Sequence, residues 1–253
     1  MNNSKLTFST LARIPGLIGE KTCQWCDRLE WHWSFWVVVV FAVLSTVVFW
    51  VTDWDIVIMR LFFEPGNEQN SWPLGQIQPW RLLYKSGPLL TLVPLMSSLL
   101  ILIVSIWYRR LSSWRSAALF IVLCFALGPG LTVNTIFKDH WGRPRPNQIV
   151  EFGGKLSYLP PLAPGTPGEG KSFPSGHCSI AFAYGAFFFI LRKKSPRMAI
   201  GALTGSLVLG GLMGIARMAA GGHFPSDVLW AAYLTLGVAF LLSPLVSETG
   251  KTA

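Results

Sequence analysis

Three short polar stretches interrupt an otherwise apolar chain, and each holds residue types that handle phosphate. They are Lys138-Asp139-His140-Trp141-Gly142-Arg143-Pro144-Arg145-Pro146, then Ser172-Phe173-Pro174-Ser175-Gly176-His177, then Arg217 to Asp227, which ends Gly221-Gly222-His223-Phe224-Pro225-Ser226-Asp227. Lys138, Arg145 and Arg217 can surround a dianion and neutralise the oxygens of a transferring phosphoryl group. Ser175 and Gly176 stand just ahead of an apolar run, where the free N–H groups and dipole of a helix start favour an anion. His223 is followed by Asp227 one helical turn later, and Pro225 between them suits the first turn of a helix. An aspartate on Nδ1 of His223 would fix its tautomer and leave Nε2 as a nucleophile. Histidine titrates near neutrality, so His177 suits a general acid towards the leaving oxygen. Arg143 and Pro174 are further candidates: Arg143 either adds to phosphate binding or contacts lipid headgroups. His140 is expected to order its loop.

Such residues need elements that bring them to one place. Of 253 residues, 51% are hydrophobic and 13% are charged, about half the charge of a soluble domain at roughly 25%. Mean hydropathy is +0.45. Apolar runs lie over residues 33–51, 89–107, 117–137, 178–191, 198–215 and 228–246, and none contains Lys, Arg, Asp or Glu. A helix of roughly 20 such residues crosses a hydrocarbon core of about 30 Å. The expected fold class is therefore all-α: a polytopic membrane protein built as a six-transmembrane-helix bundle over residues 31–246. The third run is interrupted by Gly128-Pro129-Gly130, and the fourth is short. Residues 1–30 read as a cytosolic arm, since no apolar core with a small-residue cleavage site precedes the first span. Residues 247–253 read as a cytosolic tail. Residues 56–63 are expected either to lie in the interface as an amphipathic helix or to extend the first span.

The formal charge is +9, which in a soluble protein would suggest nucleic acid. Here it sorts by side. The arm, the 108–115 and 192–197 loops and the tail hold 12 of the 21 basic residues but only 4 of the 12 acids. Positive charge marks the cytoplasmic face, so both termini are expected there, and no nucleic-acid partner is implied. All three polar stretches then share the opposite face, periplasmic in a bacterium. Cys23 and Cys26 form a CxxC without a second pair or a nearby His, so no zinc site is expected.

The pattern Lys138-x6-Arg145-Pro146, Pro174-Ser175-Gly176-His177 and Arg217-x5-His223-x3-Asp227 resembles the three signature motifs of the type 2 phosphatidic acid phosphatase (PAP2) family. The resemblance implies a six-helix membrane bundle with an outward-facing site in the bacterial inner membrane, needing neither metal nor cofactor. It implies that His223 attacks phosphorus to form a phosphohistidine, that Asp227 supports it, and that His177 protonates the leaving group and then assists water. It also implies that Lys138, Arg145, Arg217, Ser175 and Gly176 hold the phosphate. One departure is Ala216, where the family usually has Ser before Arg217; altered rate or selectivity is expected.

Residues 128–146 and Arg217 to Phe224 are similar to the lipid A 4′-phosphatase branch of that family. The implied partner is the membrane with an anionic phospholipid or lipid A as substrate. Undecaprenyl diphosphate, phosphatidylglycerol phosphate, transfer to another lipid, or a silent transporter or scaffold are the alternatives, and oligomeric state is open. The Pro- and Gly-rich loop 147–171 is expected to wall the headgroup pocket.

Overall fold

The computed structural model describes residues 19–66 and 71–247. Most of the arm, the tail beyond residue 247 and the side chains of Cys23 and Cys26 lie outside the described residues. Those described are helical, with no strand among them and one isolated bridge, Ile149 to Leu156. The chain order is α1 (Gly19–Val51), α2 (Trp54–Arg60), α3 (Trp80–Trp107), α4 (Arg115–Phe125), a π-helical segment (Ala126–Lys138), α5 (Gly176–Ala183), α6 (Ala186–Leu191), α7 (Pro196–Ala219) and α8 (Pro225–Leu242). The chain divides near residue 44 into an N-terminal unit and the larger unit that carries the three motifs.

Residues 80–107, 109–138, 196–219 and 225–242 are each long and apolar enough to cross a membrane. Residues 35–51 and 54–60 qualify only as a pair bent by 75°. The structure thus has four such helices, or five with the bent pair, among the described residues. The fourth expected span is the short one: Gly176–Leu191 breaks at Tyr184-Gly185 into α5 and α6. At 1.5 Å per residue it is only about 24 Å long. The bend at 52–53 overturns one of the two expectations for residues 56–63: α2 turns off by 75° rather than simply extending α1. It buries Asp55, Ile56 and Met59 against the protein.

Leu82, Leu89, Ile103, Leu131, Ile200 and Leu241 are exposed, as expected of helices whose outer faces meet lipid. Inside, α5 lies against α7 and α8 through Cys178, Ala181, Phe182, Met213, Val228 and Ala231. Small residues permit this closeness: a Cβ on Gly210 would stand 2.2 Å from the Phe182 ring, and one on Gly214 would stand 2.7 Å from Val228.

Proline in a membrane helix leaves a backbone carbonyl without its donor. Pro94 does this to Leu90, four residues back, and the Tyr184 hydroxyl at the α5–α6 break donates to that carbonyl at 2.8 Å. The broken helix is thereby pinned to α3. Tyr184→Phe should leave the Leu90 carbonyl unpaired and cost about 1 kcal/mol, read as a lower thermal midpoint in detergent.

Candidate active site

The first motif is delivered by the π-helical segment. Pro129 cannot donate a backbone hydrogen bond, and the wider winding lets side chains reach carbonyls five residues back. Asn134 Nδ2 donates to the Pro129 carbonyl at 2.7 Å, and Thr135 Oγ1 to that of Gly130 at 3.2 Å. His140 Nδ1 sits 3.0 Å from the Thr135 carbonyl, which orders the loop as expected. Gly130 therefore does not stop the third helix. Lys138 ends the segment, facing the first turn of α5. A Cβ on Gly176 would lie 2.7 Å from Asn134 Oδ1 and 3.2 Å from Lys138 Nζ, so only glycine leaves room for both.

His223, in the loop between α7 and α8, is 1% exposed. Its Nδ1 lies 2.6 Å from the Ser172 carbonyl. A carbonyl only accepts, so Nδ1 carries the proton and Nε2 keeps its lone pair. Asp227 Oδ2 stands 3.7 Å from Nδ1, beyond hydrogen-bond length, so the Ser172 carbonyl rather than Asp227 fixes the tautomer, and Asp227 acts on the ring through its charge. The Asp227 carboxylate is already occupied. Oδ2 accepts from Ser172 Oγ at 2.5 Å and the Phe224 amide at 2.8 Å, while Oδ1 accepts from Arg143 at 2.5 Å. Asp227 thus holds both chain segments that hold His223. Burial pushes the His223 imidazole down to about 4, the positive charge of Arg217 and Lys138 acts the same way, and Asp227 opposes both.

Arg143 corrects a second expectation, since it reaches neither phosphate nor lipid. It is 1% exposed, and each guanidinium nitrogen is engaged. Nε donates to the Leu159 carbonyl at 2.9 Å, NH1 to Ser226 Oγ and Asp227, and NH2 to Asp55 Oδ2 at 2.8 Å. Burial would discharge it; Asp227 and Asp55 more than offset this and hold its pKa above the ordinary value. Asp55 also accepts from the Ser226 amide and hydroxyl and from the Tyr158 hydroxyl. Asp55 was not among the expected site residues. Its one sequence signal is an acid, the second of Asp53 and Asp55, opening the amphipathic run after Trp54.

The other cations have the opposite surroundings. Among the described residues Lys138, Arg145 and Arg217 form no ion pair. Nε of Arg145 and of Arg217 is buried without a partner. These three cations and His223 all lie within electrostatic reach of His177. His177 stacks on Tyr84 at 4.8 Å, and Arg217 lies over the same ring at 4.6 Å. Tyr84, also unforeseen, orients both. The candidates around the two histidines are thus brought together.

Ser175 and Pro174 are placed differently from expectation. The Ser175 amide donates to the Asp227 carbonyl at 3.2 Å, and its hydroxyl faces Cys178 Sγ at 3.0 Å. Ser175 is wholly buried, which leaves the amides of the first α5 turn, from Gly176 onward, to meet an anion. Pro174 is buried beside it and offers no polar donor. Ala216 is 2% exposed. The loop 147–171 lies over this network: the Pro161 carbonyl accepts from Trp50 Nε1 at 2.7 Å, and Leu159 and Tyr158 bind Arg143 and Asp55.

The PAP2 superfamily model matches residues 117–251. The chain is 38% identical over 133 residues to the lipid A 4′-phosphatase of Francisella tularensis subsp. novicida, covering 51% of this chain and 59% of that one. It is 37% identical over 121 residues to the lipid A 4′-phosphatase of Rhizobium leguminosarum, covering 46% and 49%. It is 32% identical over 149 residues to a lipid A 1-phosphatase of Rhizobium etli, covering 52% and 56%. The chain thus spans about half the length of the curated relatives it matches. In fold it is similar to the crystal structure of a PAP2-type phosphatidylglycerolphosphate phosphatase from Bacillus subtilis, at a TM-score of 0.50 and 23% identity, covering 87% of this chain and 98% of that one.

Asp55 lies outside the matched region, yet the motif residues depend on it. Removing one partner of a buried ion pair leaves an uncompensated charge and costs about 3–5 kcal/mol. Asp55→Ala should lower the unfolding free energy in detergent by that order, and Asp55→Asn by less, since its one carbonyl oxygen can still accept from the Ser226 and Tyr158 hydroxyls, though its NH2 then faces the Ser226 amide.

Proposed function

Because the chain belongs to the PAP2 superfamily, we propose that it hydrolyses a phosphate monoester on a membrane lipid through a phosphohistidine on His223. The observation that carries this reading is the 2.6 Å contact from His223 Nδ1 to the Ser172 carbonyl. It leaves a lone pair on Nε2 in the field of Lys138 and Arg217. In the first step Nε2 attacks phosphorus, the bond from phosphorus to the leaving oxygen breaks, and His177 gives that oxygen its proton. Lys138, Arg145, Arg217 and the first amides of α5 balance the charge spread over the phosphoryl oxygens. In the second step His177 takes a proton from water, which attacks the phosphohistidine and returns His223 free with release of phosphate.

Lipid A is the proposed substrate. It is supported by the lipid A 4′-phosphatases at 37–38% identity and by a site at the mouth of apolar helices. The 4′ position is preferred, with the 1 position second because 1-phosphatases match at 31–32%. The basic 108–115 and 192–197 loops support cytoplasmic termini and a periplasmic site in the inner membrane. The short α5–α6 pair would serve as the fourth span and complete the six. The loop 147–171, pinned by Arg143 and Trp50, would wall the headgroup pocket.

Purified protein should release phosphate from lipid A faster than from undecaprenyl diphosphate or phosphatidylglycerol phosphate, with EDTA making no difference. His223→Ala should abolish release; turnover retained in that variant would exclude the phosphohistidine route. The pH profile gives an independent check. Neutral imidazole is the attacking form, and its pKa of about 4 keeps it neutral at all higher pH. His177 must hold its proton to act as the acid, and burial with the charge of Arg217 lowers its pKa to about 4 as well, so the alkaline limb of kcat/KM should begin well below the ordinary histidine value of about 6.5. The acid limb, set by His223, should fall through about pH 4. Asp227→Asn should move that limb.

A further inference from the structure

Next to the reaction centre lies a cleft of about 340 Å³ that shares Tyr84 and Arg217 with it and adds Gln76, Arg81 and Lys85, which the mechanism above does not use. Arg81 and Lys85 are four residues apart on α3, so they share a face of the helix. Both are exposed, and among the described residues neither forms an ion pair. Like charges at this spacing destabilise a helix, and the cleft they line takes in a third cation, Arg217. The cleft wall is built rather than incidental. A Cβ on Gly75 would stand 2.6 Å from the Ala220 backbone, so the turn Pro73–Gln76 is seated directly on the end of α7. Arg217 belongs to both places. It lies over Tyr84 on the cleft wall, and its field reaches His177 and His223.

We propose that this cleft binds a second anionic group, phosphate or carboxylate, carried on the same headgroup as the phosphate under attack. Arg81 and Lys85 supply the charge, the Gln76 amide adds a neutral donor, and Arg217 is shared between the two anions. The enzyme would therefore discriminate in favour of headgroups bearing two anions. The proposal rests on the phosphatase reading and assigns a specificity to it.

The test uses the full chain in a non-ionic detergent. In the first arm kcat/KM is compared for bisphosphorylated and monophosphorylated lipid A. The wild type should favour the bisphosphate by about tenfold or more, the value of one well-placed charge-assisted contact. Arg81→Gln with Lys85→Gln should bring that ratio close to one, whereas Arg60→Gln, an exposed cation off the cleft, should leave it. A wild-type ratio near one, or a ratio unchanged in the double variant, overturns the proposal. The second arm measures binding of glucose 1,6-bisphosphate and glucose 6-phosphate to the His223→Ala protein by calorimetry. The bisphosphate should bind more tightly, and the double variant should lose the difference. No difference between these soluble ligands would mean that Arg81 and Lys85 merely anchor the protein to anionic lipid, which also overturns the proposal. Bisphosphate preference in binding without phosphate release from either lipid would overturn the phosphatase reading and leave the cleft assignment standing.

Discussion

A guanidinium shut away from water between two carboxylates sets the terms for the rest of this fold. Arg143 is 1% exposed, and a charge so placed is tolerable only when every donor meets an acceptor. Its acceptors come from α2, the loop after the first motif and the start of α8: Asp55, Leu159, Ser226 and Asp227. None of these elements can shift without stranding a buried charge. Asp227, held by Arg143, in turn accepts from Ser172 and Phe224, which flank the reactive histidine in space and in sequence. The position of His223 Nε2 is therefore the end of a chain of polar contacts that begins at Asp55 on α2.

Cations are divided here into two kinds by their surroundings. Arg143 is neutralised inside the protein and serves as structure. Lys138, Arg145 and Arg217 are gathered without an ion-paired carboxylate among the described residues, an arrangement that repels itself unless an anion arrives. The same electrostatics thus explains both the rigidity of the frame and the readiness of the site. The division also accounts for why Ser175, despite its place in a phosphate-like motif, has both donors committed within the protein: it joins the second motif to Asp227, leaving the next amides to face outward.

The apolar runs and the three motifs were legible because a membrane helix must be uniformly apolar, so polar residues stand out where the chain leaves the bilayer. What was not legible is where each polar side chain turns. Arg143 and Arg145 are two residues apart with the same chemistry, yet one is sealed in the protein and the other has a buried Nε left without a partner. The i,i+4 spacing correctly placed Asp227 near His223. It could not reveal that Arg143, Ser172 and Phe224 would take up the carboxylate first. Asp55 is separated from Arg143 by 88 residues, and no local pattern links them. Gly128-Pro129-Gly130 read as an interruption; the helix instead continues in a wider winding, with the Asn134 and Thr135 side chains as donors.

The bond that fixes the reactive tautomer runs to a main-chain carbonyl, at Ser172. Every amino acid has that carbonyl, so no side-chain substitution at position 172 deletes the acceptor itself. Selection can act on it only indirectly, through whatever keeps that stretch of backbone in place. The most consequential hydrogen bond at the nucleophile is therefore one that a comparison of side chains among relatives would not register. An alanine scan would detect it only as scattered losses at the residues that hold the loop.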